Sequence, residues 1–397
     1  MQKEQAMQSA DTTQPGDSPQ QPAPAAPADP RAALDAERAR CPVAPGDAGG
    51  WSVYAHAEVR RIVTDHETFS NAVSRHLSIP NGMDPPAHTP WRRALEPCFS
   101  RERVAAFEPE CRRIAARLAA RIADGANVDC MDAFAGAFAG AVQCAFLGWP
   151  QALGDTLRAW VGRNQAAIRA GDRERLAELA AELEALLEPL LAARRSGGGG
   201  APADLTAALL QERVEGRAVR TAEVVSILRN WTVGEVGTIA AAVGILAHHL
   251  AADPALQRQL RADEGRLAYA IDEILRLDGP LAANRRRTTC PVRLGGHDLA
   301  AGESLTLHWI AANRDPAVFE APAAFRWDRD PGDNLLYGAG IHVCPGAPLA
   351  RMELRVALQA LLRATRWIEP APADVAVRAQ PPAAGFERLP LRCLPAD

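Results

Sequence analysis

Tyr337-Gly338-Ala339-Gly340-Ile341-His342-Val343-Cys344-Pro345-Gly346 is the stretch on which the reading of this chain turns. It runs directly into a segment, from Ala347 onward, whose apolar residues recur at helical spacing. The glycines free the backbone for tight turns and for close approach to a flat ligand. Pro345 and Gly346 suit a helix entry. The loop therefore hands one cysteine, Cys344, to a helix N-terminus, where the helix end and nearby N–H groups stabilise a thiolate. On the loop alone, two other readings stand beside this one. One is a buried structural thiol in a glycine-rich turn. The other is zinc shared with His342, weakened by the two-residue spacing and the want of a second ligand pair.

Working outward, 397 residues with 48% hydrophobic content allow a large core. The net charge of −4 gives no basic excess of the kind that nucleic-acid partners need. Lys3 is the only lysine, so arginine carries the remaining positive charge. Eight scattered cysteines with no CxxC pair read as mostly buried, reduced thiols. Residues 1–30 are rich in Pro, Ala, Gln and Ser and lack the apolar run of a signal or anchor; a disordered tail is expected there. The longest apolar stretch, residues 239–247, is too short to span a bilayer. A cytoplasmic protein with no membrane partner is expected.

The pattern is mainly helical with a small β region. Helices are expected over residues 101–123, 132–147, 173–195, 221–252, 267–277 and 347–365. A strand followed by a helix is expected over 51–63, a loop over 71–90, and short strands over 287–307 around Gly295 and Gly296. Ser196 and the four glycines after it read as a flexible connection. No repeat or regular βαβ alternation is present.

Two charged motifs precede the loop. Glu273 and Arg276 are three apart on a helix and can pair, though most such pairs are ordinary solvated ones. His88 and Arg92 are four apart and share a helical face, an arrangement that suits a carboxylate or phosphate. The bland alternative is a surface helix start.

Together these motifs resemble the cytochrome P450 family. Gly338, Gly340, Cys344 and Gly346 match its haem-binding signature, and Tyr337 stands where the family usually has Phe. The resemblance spans residues 51–392. It implies one haem domain over residues 31–397, with haem b between two helices and Cys344 as the iron ligand. Glu273 and Arg276 are then the family's structural ion pair, with Arg329 a weaker third member. His88, Arg92, His342 and Arg286 are implied to hold the haem propionates. Arg287 is the fallback for Arg286, since strand neighbours face opposite ways.

Counting back from Pro254 places Thr238 at the family's threonine in the long helix, kinked over the iron. Gly237 then stands at the usual acid and Glu235 at the usual glycine. Glu235 and Thr238, three apart, are expected on one face, where a carboxylate and an alcohol relay protons through water. The resemblance also implies a substrate pocket made by Trp231, Gly234, Leu281, Ala282, Ala283 and Asn284. The apolar members suit an apolar portion of a small-molecule substrate.

The implied reaction inserts one atom of O2 into an organic substrate. Lacking a flavin or NAD fingerprint, the chain would draw electrons from a separate ferredoxin or flavodoxin with its reductase. Arg101, Arg103 and Arg351 are candidate contacts for it. Two further readings are a haem-thiolate enzyme of altered chemistry, such as a peroxygenase or a coupling or rearrangement catalyst, and a non-catalytic haem or ligand-binding protein.

Overall fold

The computed structural model describes residues 29–46, 49–74, 76–195, 204–372 and 374–396. The expected tail and the glycine run after Arg195 thus lie almost wholly outside the described residues. Asp29 already caps the first helix, Pro30–Arg40, by accepting from the Arg31 amide.

The long helix Thr221–Ala252 is the axis of the fold. It meets the length and composition of a membrane span once its flanks are counted with the apolar run at 239–247. Here Ile239, Val243 and Leu246 are buried in the main core. That core also takes Ile114 and Leu118 of helix Arg101–Ile122 and Leu354 and Leu358 of helix Ala347–Ala364. Asp253 ends the long helix and caps the next, Pro254–Ala262, through the Ala255 and Leu256 amides; Pro254 fits its first turn.

The long helix is not uniform. Val233–Gly237 forms a π-helical segment between the α-helical stretches Thr221–Thr232 and Thr238–Ala252. Such segments often mark functional sites.

The small β region is a five-stranded sheet in the order Val43–Pro45, Trp51–Val53, Ser304–His308, Ala283–Thr288, Phe69–Ser70. Arg286 pairs opposite the fully buried Leu305, which sets its side chain on the inner face. A three-stranded sheet joins Thr365–Pro370, Pro390–Pro395 and Asn127–Asp129.

Helices Leu153–Ala170 and Pro254–Ala262 were not foreseen. The loop expected over 71–90 ends earlier, because helix His88–Leu95 begins at His88. The other helices expected fall where the periodicity puts them, within one or two residues at most ends.

Candidate functional site

A cavity of about 1880 Å³ lies between the long helix and the loop that precedes helix Ala347–Ala364. Gly234, Glu235 and Thr238 line it from one side; Cys344, Leu349 and Leu354 line it from the other.

The loop's shape comes from two glycines. Gly338 and Gly340 have φ of 71° and 69°, which L side chains rarely adopt. At Gly340 a side chain would also strike the Val63 carbonyl oxygen. The Cys344 amide donates to the Tyr337 carbonyl at 2.9 Å, closing the loop on itself. Cys344 opens onto the cavity yet sits deep within the protein. Burial pushes its thiol pKa up, while hydrogen bonds from the Gly346 and Ala347 amides pull it down; burial prevails. Arg351 stacks 4.3 Å over the Tyr337 ring. The Tyr337 hydroxyl is buried without a partner, and burial raises its pKa.

At one edge of the cavity, arginines and imidazoles gather with few anions. The His88 and His342 rings lie 4.6 Å apart, and both Nε2 atoms are buried and unpartnered. The Arg286 guanidinium is buried, and the hydrogen bond it makes goes to the Arg285 carbonyl at 2.8 Å. Burial lowers its pKa to about 10. Arg92 donates to the Val343 carbonyl at 2.7 Å and pairs with Glu96 at 3.0 Å. Burial, with His88, Arg286 and Arg92 nearby, holds His342 neutral, its pKa lowered to about 3. A buried guanidinium whose hydrogen bond goes to a backbone carbonyl and two buried imidazole nitrogens without partners are costly, so a dianionic, acceptor-rich group fits this edge. Haem fits on that observation: its two propionates would meet His88, Arg92, Arg286 and His342, its plane would lie in the cavity, and Cys344 would meet the metal. Arg287 does not belong to the set. It faces solvent on the other side of the strand and does not line the cavity.

The Glu273–Arg276 pair is buried and bidentate, at 2.8 and 2.9 Å. Arg329 joins it, donating to Glu273 at 3.0 Å. Arg276 also donates to the Asn313 carbonyl at 2.7 Å, and the Asn313 side chain accepts from the Leu335 amide at 2.8 Å. The cluster therefore reaches the chain two residues before Tyr337.

All six expected pocket residues, Trp231, Gly234, Leu281, Ala282, Ala283 and Asn284, line the cavity. The Asn284 side-chain oxygen is already engaged by the Trp309 indole N–H at 2.8 Å.

The distal helix departs from expectation. Thr238 donates its hydroxyl proton to the Gly234 carbonyl. The π-helical segment widens the turn between Glu235 and Thr238, and both residues still line the cavity. The Glu235 carboxyl has one oxygen buried without a partner and lies within electrostatic reach of the buried Glu353 of helix Ala347–Ala364. Glu353 was not foreseen, although it interrupts the apolar face made by Leu349 and Val356 at helical spacing. At Gly237, a Cβ would stand 3.2 Å from the Gln165 side-chain nitrogen and 3.5 Å from Val161. Helix Leu153–Ala170 thus fills the space that an acid at 237 would enter.

Among known proteins, the family model described as Cytochrome P450 matches residues 168–386. The chain is 32% identical over 321 residues to the probable cytochrome P450 127A1 of Sinorhizobium fredii, covering 78% of this chain and 75% of that one. It is 30% identical to the cyclomarin C epoxidase CymV of Salinispora arenicola, covering 78% and 82%. The solved structure of a mutant of P450 EryK in complex with erythromycin B superposes with a TM-score of 0.84 at 26% identity, covering 91% of this chain and 95% of that one. With its thiol-bearing loop, its buried Glu–Arg cluster and these relatives, the chain belongs to the cytochrome P450 family of monooxygenases.

Proposed function

We propose that this protein is a haem-thiolate monooxygenase that oxidises a bulky, largely apolar organic molecule, with Cys344 as the iron ligand. The observation that carries the reading is the position of Cys344: open to the cavity, at a helix N-terminus, with two backbone amides directed at its sulfur. Haem b bound there supplies oxygen activation, placing one atom of O2 in the substrate and the other in water.

The chain's own residues do the rest. His88, Arg92, Arg286 and His342 hold and orient the propionates. The Gly346 and Ala347 amides favour the thiolate over the thiol. Thr238, its proton committed to Gly234, faces the cavity as an acceptor only and takes a hydrogen bond from a donor above the cofactor. Leu281, Ala282 and Ala283 offer an apolar wall, and Trp231 an aromatic one. The cavity is large enough for the cofactor and a sizeable substrate. One related epoxidase is named for cyclomarin C, and the neighbouring EryK structure holds erythromycin B. We assign the substrate to that size class. Electrons come from a separate ferredoxin or flavodoxin with its reductase, in the cytoplasm; neither nucleic acid nor membrane enters the reaction.

Gly237, without the usual acid, favours one second reading, a peroxygenase. Turnover with peroxide alone, set against turnover with electron donors, separates the two. The primary test is the absorption spectrum of the dithionite-reduced protein under carbon monoxide. The strongly red-shifted Soret band of thiolate ligation is expected, and Cys344→Ala abolishes it. An unshifted band in folded wild-type protein would overturn the assignment.

A further inference from the structure

The segment from Leu77 to Gly82 is fastened to the first half of the long helix by a polar seam. Ser226 donates to the Leu77 carbonyl at 2.8 Å and accepts from the Ile79 amide at 3.0 Å. Asn230 donates to the Ile79 carbonyl at 2.9 Å and accepts from the Ser78 hydroxyl at 3.3 Å. Arg229 donates through Nη2 to the Leu77 carbonyl. Asn71 donates to the Asn81 carbonyl at the far side of the segment. Asn71, Ser78, Asn81, Arg229 and Asn230 all line the cavity.

The seam leaves one charge over. Arg229 is half-buried, and among the described residues its Nε and Nη1 have no acceptor and no carboxylate lies within ion-pair distance. Burial pulls its pKa down, and Glu184 of helix Arg173–Arg195 only partly offsets that. Asp84, the acid beside Asn71, is already engaged by the Ser70 hydroxyl and the Asn71 amide and does not line the cavity. The cavity's other arginines are placed differently. Arg92 and Arg286 stand at the cofactor edge, Arg158 is paired with Asp132 at 2.7 Å, and Arg169 and Arg285 are exposed. A half-desolvated guanidinium with spare N–H groups suits a carboxylate, which accepts two parallel hydrogen bonds from it.

We propose that the substrate is an amphipathic carboxylic acid, its carboxylate held by Arg229 and its apolar body running along the long helix toward Thr238. Nine residues separate Arg229 from Thr238, about 13 Å along a helix axis. Val233 and Val236 line the cavity on that path. The acid group is thereby kept at the end remote from Cys344, and oxidation falls on the apolar end. Calling this ligand a substrate rests on the monooxygenase reading; the anion site itself stands on Arg229 and its surroundings.

The test is calorimetric titration of the haem-loaded protein at neutral pH with para-butylbenzoic, dodecanoic and lithocholic acids, each against its methyl ester. At least one acid should bind about ten- to a hundredfold more tightly than its ester, the worth of a hydrogen bond to a charged group. Arg229→Gln, which keeps a donor for the Leu77 carbonyl, should erase that preference and leave the ester's affinity unchanged. Arg229→Lys should keep part of it. Parity of acid and ester in all pairs overturns the proposal, and that comparison needs no variant. A preference that survives in Arg229→Gln, or an equal loss of acid and ester there, overturns it too, the latter by reducing the arginine to a fastener of Leu77. Calorimetry reads neither thiolate ligation nor oxygen activation. An unshifted carbon monoxide band with the acid preference intact would therefore remove the monooxygenase reading alone, and parity beside a shifted band would remove the acid site alone.

Discussion

Thr238 gives its hydroxyl proton to the carbonyl of Gly234, one turn earlier, at the point where the long helix changes from π to α. The widened turn leaves that carbonyl in need of a donor, and the threonine side chain meets it. A hydroxyl so fixed is an acceptor toward the cavity. Thr238→Ala removes the acceptor while leaving the pocket wall nearly intact. Substrate affinity should be unchanged, product per electron pair should fall on the order of tenfold, and peroxide should account for the difference. Thr238→Ser should restore most of the coupling. Equal coupling in Thr238→Ala and wild type would mean that the hydroxyl serves the helix alone.

Arg286 and Arg287 are sequence neighbours with opposite fates. Strand pairing with Ser304–His308 turns Arg286 inward beside Leu305 and Arg287 to solvent. Arg286→Ala should weaken haem retention by roughly 1.5–3 kcal/mol, the range for a hydrogen bond to a charged group. That corresponds to about ten- to a hundredfold faster haem transfer to excess apomyoglobin if the loss lies in release. Arg287→Ala should leave transfer at the wild-type rate. A matching loss in both variants would mean that the arginines act through the sheet and not through the cofactor.

How far the sequence carried the reading differs from residue to residue. Cys344, Gly338 and Gly340 were legible because the loop's chemistry is local: its glycines and its helix entry lie within one continuous stretch. Glu273 and Arg276 were visible as a pair, while their burial depended on Asn313, Pro322 and Arg329, which only folding brings near. Glu235 and Thr238 both reach the cavity, while the π-helical segment between them left no mark in the apolar periodicity. Glu353 escaped notice because Glu235, the group within its electrostatic reach, lies far away in sequence. Helix Leu153–Ala170 was missed because Gly162 and the polar run Arg163-Asn164-Gln165 interrupt its apolar face. Pro254 was read as the residue after a helix, when it also opens the next one.

The Glu273–Arg276–Arg329 cluster carries a stability prediction. Glu273 accepts from both arginines and from the Arg326 amide, so removing its charge strands two buried guanidinium groups. Breaking a buried pair by removing one partner typically costs about 3–5 kcal/mol. Glu273→Gln should lower the denaturation midpoint correspondingly and yield protein with reduced haem content, through the Asn313–Leu335 link to the loop. Glu320→Gln, which removes an exposed partner of Arg326, should leave the midpoint within error. Equal midpoints in the two variants would show that the buried cluster adds nothing beyond a surface pair.

Asp278 supplies the test by pH. It is buried at the end of helix Leu267–Leu277, bonded to Arg378 at 2.6 Å, with Arg31 at 3.4 Å and His249 at 3.9 Å. Burial alone would raise its pKa. The nearby His249 imidazole and the two arginines outweigh burial and lower it from 3.8 to about 2. A carboxyl whose pKa is depressed on folding contributes its stability above the unfolded value, and loses it as pH falls through the folded one. The contribution is therefore complete above about pH 4 and fades toward pH 2. From the size of the shift it amounts to ~2 kcal/mol. Asp278→Asn should lower stability at pH 7 by at least that amount. It should also flatten the fall in stability of wild type between pH 4 and pH 2, measured by urea denaturation at fixed ionic strength. Arg378 stacks 4.2 Å over Phe386, which lines the cavity, so the same variant should loosen substrate binding. A variant as acid-labile as wild type would place the acid transition in other carboxyls and remove Asp278 from the account of why the cavity wall holds.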